Sequence, residues 1–233
     1  MNKLTKFVMM NILPSTIRKH IVRSKLPEFP SKIDGITFKQ VHGDELDKCL
    51  KLVHDVYVDS GYIKPDKSGK RILDYHFSEG SSIFAAIDDK SGDIIYTASV
   101  FADSENGLPI DIAFEKEVDF LRNSGRKVVE IGCLASNPKY RFGNQFIPML
   151  MNKTLFDYIY NVMSVNDIVI TTHPKYSIVY EDILLFEKIG YIKTFSYVKG
   201  NPAVAYRCDI NLSFQKYILT YGSTGNIFKL FFG

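Results

Sequence analysis

Residues 127–136 read KVVEIGCLAS, and this run narrows the fold more than any other stretch of the chain. Val128, Val129, Ile131, Cys133, Leu134 and Ala135 put apolar groups on both faces of an extended segment, the pattern of a strand covered on both sides. The run predicts a central strand in a sheet layered with helices. One acid, Glu130, interrupts it. A carboxylate in such a strand is costly unless it is paired or used. Glu130 is therefore a candidate general base or amine anchor, with a salt bridge to Arg122 or Arg126 as the alternative. Cys133, in the same apolar run, reads as a small buried hydrophobe.

The flanking patterns extend this picture. ITFKQV (36–41) alternates like a strand, and GDELDKCLKLVHDVYVDSGY (43–62) spaces Leu46, Leu50, Val53 and Tyr57 as a helix does. SSIFAAIDD and IIYTASVFAD flank the turn DKSGD and predict an antiparallel pair. FEKEVDFLRN (114–123) reads as a short amphipathic helix. NQFIPMLMNKTLFDYIYNVM (144–163) reads as a long one, bent or restarted near Pro148. DIVITT then predicts a strand, YSIVYEDILLFEKIG a helix ending at Gly190, and YIKTFSYVK with AVAYRCDINL a closing hairpin. The expected organisation is a basic, partly helical arm over residues 1–30, set off by LPEFPSKIDG (26–35), then an α/β domain over 31–212. A C-terminal extension, 213–233, packs on or near that domain, covers its cavity or touches a membrane.

Bulk properties exclude several classes. Hydrophobic residues make up 45% of the chain and charged residues 24%, which suits a packed core and not wholesale disorder. A formal net charge of +3 is small for a nucleic-acid binder. Cys49, Cys133 and Cys208 stand far apart, without the spacing of a disulfide framework or a zinc site, and point to a reducing cytoplasm and no bound metal. No apolar run approaches the roughly 20 residues of a membrane span. The arm has no acid before Glu28 and carries Arg18, Lys19 and Arg23, cations suited to an acidic protein partner or an anionic membrane surface, unless the arm is simply a helix packed on the domain.

Five pieces in order, VYVDSGYI (56–63), GLPID (107–111), EVDFLRNSGRKVVEIGCLA (117–135), HPKYSIVYEDILLFEKIGY (173–191) and GNPAVAYRCDI (200–210), resemble the long-chain N-acyl amino acid synthases. These are relatives of the acyl-homoserine lactone synthases on the GNAT acyltransferase fold. The resemblance implies a mixed, mainly antiparallel sheet with splayed central strands. It also implies transfer of an acyl chain from the phosphopantetheine arm of acyl carrier protein, with no permanently bound cofactor, to the α-amine of an amino acid such as tyrosine. Two positions depart from the family pattern: Tyr176 stands where a histidine is usual, and Val53-His54 precedes Asp55 where an arginine is common.

Within that resemblance Glu130 sits where the family places a glutamate, and Tyr180 where many GNAT enzymes carry a tyrosine that protonates the leaving thiolate. Tyr180 otherwise joins the core face of its helix. His173 is a second candidate base or simply orders the turn before Pro174, and Lys175 is a substrate-binding candidate at the strand end. Asp103 either orients a polar substrate or begins a turn. Ser136 and Asn137 follow the central strand, where free backbone N–H groups hold a thioester oxygen, or else cap a helix. In KYRFGNQF (139–146) Gly143 is the single glycine where coenzyme A-using relatives carry a glycine-rich diphosphate loop, which favours a carrier-protein donor. Lys139 and Arg141, with the arm, would steer an acidic carrier, or form a solvated surface. A coenzyme A-dependent N-acetyltransferase and a non-catalytic acyl- or carrier-binding module are the competing readings.

Overall fold

The computed structural model describes residues 14–140 and 146–233. Seven strands form one sheet: β1 Ile36–Gln40, β2 Ser82–Asp88, β3 Ile94–Ala102, β4 Val128–Ser136, β5 Asp167–Thr172, β6 Glu187–Phe195 and β7 Asn201–Asp209. Their spatial order is β1-β2-β3-β4-β5-β7-β6. KVVEIGCLAS supplies the middle strand, as its two-faced pattern requires. Every neighbouring pair is antiparallel except β4–β5. This is the mixed, mainly antiparallel α/β architecture expected from the sequence.

Helices cover both faces. On one, α2 (Gly43–Asp59) sets Cys49 and Leu50 against Ile83, Ala85 and Ile94, and α3 (Asp111–Asn123) sets Phe114, Val118 and Leu121 against Val128, Val169 and Ala205. On the other, α4 (Ile147–Tyr158), α5 (Ile210–Tyr221) and α6 (Asn226–Phe232) bury Leu150, Met151, Leu155, Tyr217, Ile227, Phe228 and Phe231 in one cluster with Val129, Ile131, Ile168 and Tyr206. α1 (Ser15–Ser24) lies outermost on this second face.

The β4–β5 ladder is short and tied at one end. It runs from Val128↔Asp167 to Ile131↔Ile170 and stops, although β4 continues to Ser136 and β5 to Thr172. At the paired end Asp167, with no exposed surface, accepts from both Arg126 and Arg207, and Asp209 pairs with the same two arginines. Guanidinium on both sides offsets the desolvation of that carboxylate. At the other end the strands part, the splay expected of the fold. There β4 bulges: Ser99 pairs with Gly132 and Thr97 with Ala135, which leaves Cys133 and Leu134 facing only Ala98. Cys133 takes φ 52° to make the bulge and is partly buried, packed against the α3-side cluster and against the cluster of Val53, Val56 and Ala135.

Three further expectations change. Pro148 does not bend a long helix; it sits in the first turn of α4, where its missing N–H has no intrahelical partner to lose. The helix passes instead into a π turn over Ile159–Met163, closed by Ser164 at φ 49°. The expected helix to Gly190 is a π turn over Ile178–Ile183, halted by Leu185 at φ 57°, and Glu187–Gly190 already belongs to β6. The boundary expected at 212 falls inside α5, and α6 beyond it is part of the same core.

Candidate active site

Where β4 and β5 part, a cavity of about 940 Å³ opens. Its lining comes from both faces of the sheet. Leu73, Phe101, Phe195 and Ala203 belong to the α3-side cluster, while Tyr96, Ile170, Val179 and Tyr180 belong to the α4-side cluster or pack on it. The cavity therefore passes through the sheet at the splay. Beyond Ile131, β4 has no ladder partner on its β5 side, and Gly132, Cys133, Leu134 and Ser136 line the passage.

Glu130 is 3% exposed and lines this cavity. Strand alternation puts it on the α3 side, level with Val169. Its Oε2 accepts the Ile110 backbone N–H at 2.7 Å. Among the described residues no cation pairs with it: Arg122 is taken up by Asp103, Asp111 and Asp119, and Arg126 by Asp167 and Asp209. Burial pushes its carboxyl well above the ordinary range, and the single amide hydrogen bond opposes this only in part. The geometry is that of a base with raised proton affinity, held by one backbone donor. Gly132 keeps the space beside it open, since a Cβ there would lie 3.0 Å from Phe101.

Tyr180 enters from the α4 side. The π turn that carries it is fixed by its neighbours. Arg18 donates to both oxygens of Asp182, at 2.6 and 3.0 Å, and Arg23 donates to the Asp182 carbonyl at 2.8 Å. Tyr217 bonds the Leu184 carbonyl at 2.8 Å, and Tyr206 bonds Glu181. The Tyr180 ring stacks on Tyr206 at 5.9 Å. Burial pushes its phenol up to about 12, so it stays protonated and able to donate at neutral pH.

His173 and Lys175 also line the cavity. His173 Nδ1 accepts the Lys175 backbone N–H at 3.1 Å, which orders the turn before the 3-10 turn Pro174–Tyr176. The neutral ring then carries its hydrogen on Nε2 and presents a donor to the cavity, not a base. Lys175 Nζ lies 3.3 Å from the Tyr62 hydroxyl and over the Tyr176 ring. Ser136 also lines the passage.

The remaining candidates fall elsewhere. Asp103 holds Arg122 through both its oxygens, at 2.8 and 2.9 Å, and does not line the cavity. Arg122 in turn fixes Asp111, which accepts the Leu108 N–H, so this network shapes the loop that presents Ile110 to Glu130. Asn137 bonds the Ile94 carbonyl through its side chain and the Ile95 carbonyl through its backbone N–H, which is therefore not free for a thioester. Lys139 pairs with Asp93, and Arg18 is the anchor of Asp182; neither is a free cation for docking. Lys19 and Arg23 line a separate hollow of about 490 Å³ between α1 and the α5–α6 turn. Arg141, with most of the KYRFGNQF loop, lies outside the described residues.

Arg71 and Thr171 line the cavity and were not singled out from the sequence. Arg71 lies in an irregular, lysine-rich segment where a cation reads as surface. Thr171 is one polar position near the end of a short strand. Cys133 lines the cavity as well, and burial pushes its thiol up to about 12, which leaves it no thiolate character at neutral pH.

Comparison with known proteins identifies the family and the fold. The family model of the N-acyl amino acid synthase FeeM matches residues 48–209. The solved structure of FeeM, an N-acyl amino acid synthase from uncultured soil microbes, is similar at a TM-score of 0.68 and 20% identity, covering 79% of this chain and 96% of that one. The acyl-homoserine lactone synthase LasI is similar at a TM-score of 0.58 and 15% identity, over 80% of this chain and 94% of its own. BjaI, a coenzyme A-dependent acyl-homoserine lactone synthase, is similar at 0.58 and 11%, over 76% of this chain and 84% of its own. Among curated proteins no sequence matches.

Proposed function

The chain belongs to the FeeM family of N-acyl amino acid synthases, acyltransferases, and from that premise we propose that it moves a long-chain acyl group from acyl carrier protein to the α-amine of an amino acid. The observation that carries this reading is Glu130: a buried carboxylate with no cationic partner among the described residues, beside a passage through the sheet. In a substrate complex the acceptor lies on the α3 side with Glu130 and the acyl thioester on the α4 side with Tyr180.

The chemistry asks little more of the protein than position and proton transfer. The substrate ammonium releases one proton to solvent. The neutral amine attacks the thioester carbonyl, the C–N bond forms, and Glu130 takes the second amine proton. As the C–S bond breaks, Tyr180 donates its phenolic proton to the sulfur and is reprotonated from solvent, to which Glu130 releases its own. Amide, free thiol and one net proton result.

A carrier-bound donor is supported by KYRFGNQF, with one glycine where a diphosphate cradle needs several. The test is mass spectrometry of lipid extracts from cells expressing the protein or its Glu130→Gln variant. New N-acyl amino acids that disappear with the variant are the expected result. Purified protein given acyl carrier protein and coenzyme A thioesters of one chain length then separates the two donors. Extracts identical to those of cells lacking the protein would remove the reading.

A further inference from the structure

Among the described residues, two buried side-chain polar atoms lack a hydrogen-bond partner: Arg71 Nε and Thr171 Oγ1. Native structures contain few such groups, because an unpaired buried donor has lost its water and gained nothing. Both residues line the same cavity. Strand alternation from Val169 puts Thr171 on the α3 side of the sheet, the Glu130 side.

Among the described arginines only Arg71 and Arg23 lack a carboxylate partner, and of the two only Arg71 lines the cavity. Arg18, Arg122, Arg126 and Arg207 each pair with a carboxylate. Arg71 pairs with none among the described residues; Nη2 donates to the Tyr197 carbonyl at 3.2 Å and the guanidinium lies 5.5 Å from the Tyr197 ring centroid. Its position is built, not incidental. Its backbone N–H bonds the Leu50 carbonyl at 3.0 Å, Lys70 pairs with Asp47, and Asp66 N–H donates to His54 Nε2 at 3.0 Å. These contacts tie the loop after α2 back onto that helix. Arg71, Glu130 and the bulge residue Cys133 all line this one cavity. A cation and a carboxylate lining one cavity suit a ligand with an ammonium and a carboxylate on one carbon.

We propose that Arg71 binds the α-carboxylate of the acceptor amino acid, with the Thr171 hydroxyl adding a hydrogen bond, and so directs the amine to Glu130. The assignment rests on the acyl-transfer reading above. It makes Arg71 the residue that distinguishes an amino acid from a plain amine, since guanidinium matches carboxylate in charge and fork geometry.

The test uses the purified full chain, an acyl-loaded carrier protein, and three acceptor pairs: L-tyrosine with tyramine, L-phenylalanine with phenethylamine, L-leucine with isoamylamine. Arg71→Met should raise KM for the amino acids roughly tenfold or more, with KM for the amines and for the donor within about twofold of wild type. Arg71→Lys, which keeps the charge and the fold, should recover part of the loss. Should Arg71→Met fail to fold, the lysine variant alone decides, because loss of the fork still shifts amino-acid KM and not amine KM. Equal losses on amino acid and amine, or a loss in donor KM, would overturn the assignment while leaving the reaction standing. A wild type that acylates none of the six compounds would overturn the reaction and the assignment with it.

Discussion

In the proposed reaction Glu130 takes the amine proton, and its environment makes two measurable demands. Folding raises its pKa through burial. The stability that goes with the neutral carboxyl is thus fully present below the ordinary carboxylate range and is lost as pH rises through the folded value. Glu130→Gln, neutral throughout, should therefore gain melting temperature over wild type as pH is raised from about 5, while its turnover falls by about 10²-fold or more. A flat difference across pH would mean that the carboxyl is not buried as described. Tyr180→Phe should slow turnover by about tenfold to 10²-fold with alkyl thioester donors, and by less with an aryl thioester whose thiolate leaves without a proton. Equal loss on both donors would make Tyr180 a packing residue. Glu130 was legible in the sequence because an acid in a two-faced apolar run has few explanations. Arg71 was not, since nothing in GKRILDY distinguishes a cation turned inward from one in solvent.

At the scale of elements, the π turn Ile178–Ile183 shows where periodicity stops being informative. Val179, Ile183 and Phe186 have helical spacing, yet the chain leaves the helix at Leu185 and joins the edge strand β6, where Tyr191 and Ile192 are exposed. Local spacing cannot report that a neighbouring strand, β7, will claim Glu187 onwards. Nor can it report that Arg18, more than 160 residues away, fixes the turn. Asp182 has no exposed surface. Arg18→Met would strand that carboxylate, and a loss on the order of 3 kcal/mol in denaturant unfolding is expected. The pair Arg18→Met/Asp182→Asn should regain part of it. If the single variant unfolds like wild type, α1 does not secure the turn.

For the whole molecule, the layering and the central strand were readable because burial on two faces leaves a compositional trace. The domain boundaries were not, because apolar residues at a chain end look the same whether they cover a core or belong to it. Ile227, Phe228, Leu230 and Phe231 belong to it. Each contributes roughly 2 kcal/mol through burial, so together they rival the whole stability of a typical domain, about 5–15 kcal/mol. A chain truncated after Gly222 should be insoluble or lack a cooperative unfolding transition; a soluble, two-state product would mark residues 223–233 as an appendage. No helix among the described residues is long and apolar enough to cross a membrane.

The parallel pair β4–β5, stitched by Arg126, Asp167, Arg207 and Asp209 at one end and parted at the other, has a consequence for traffic. A passage lined from both faces would give the donor and acceptor of the proposed reaction separate sides of the sheet, so that neither blocks the other's arrival. The product of that reaction would lie like a thread through the eye of the sheet, its head on one side and its tail on the other, and would leave lengthwise.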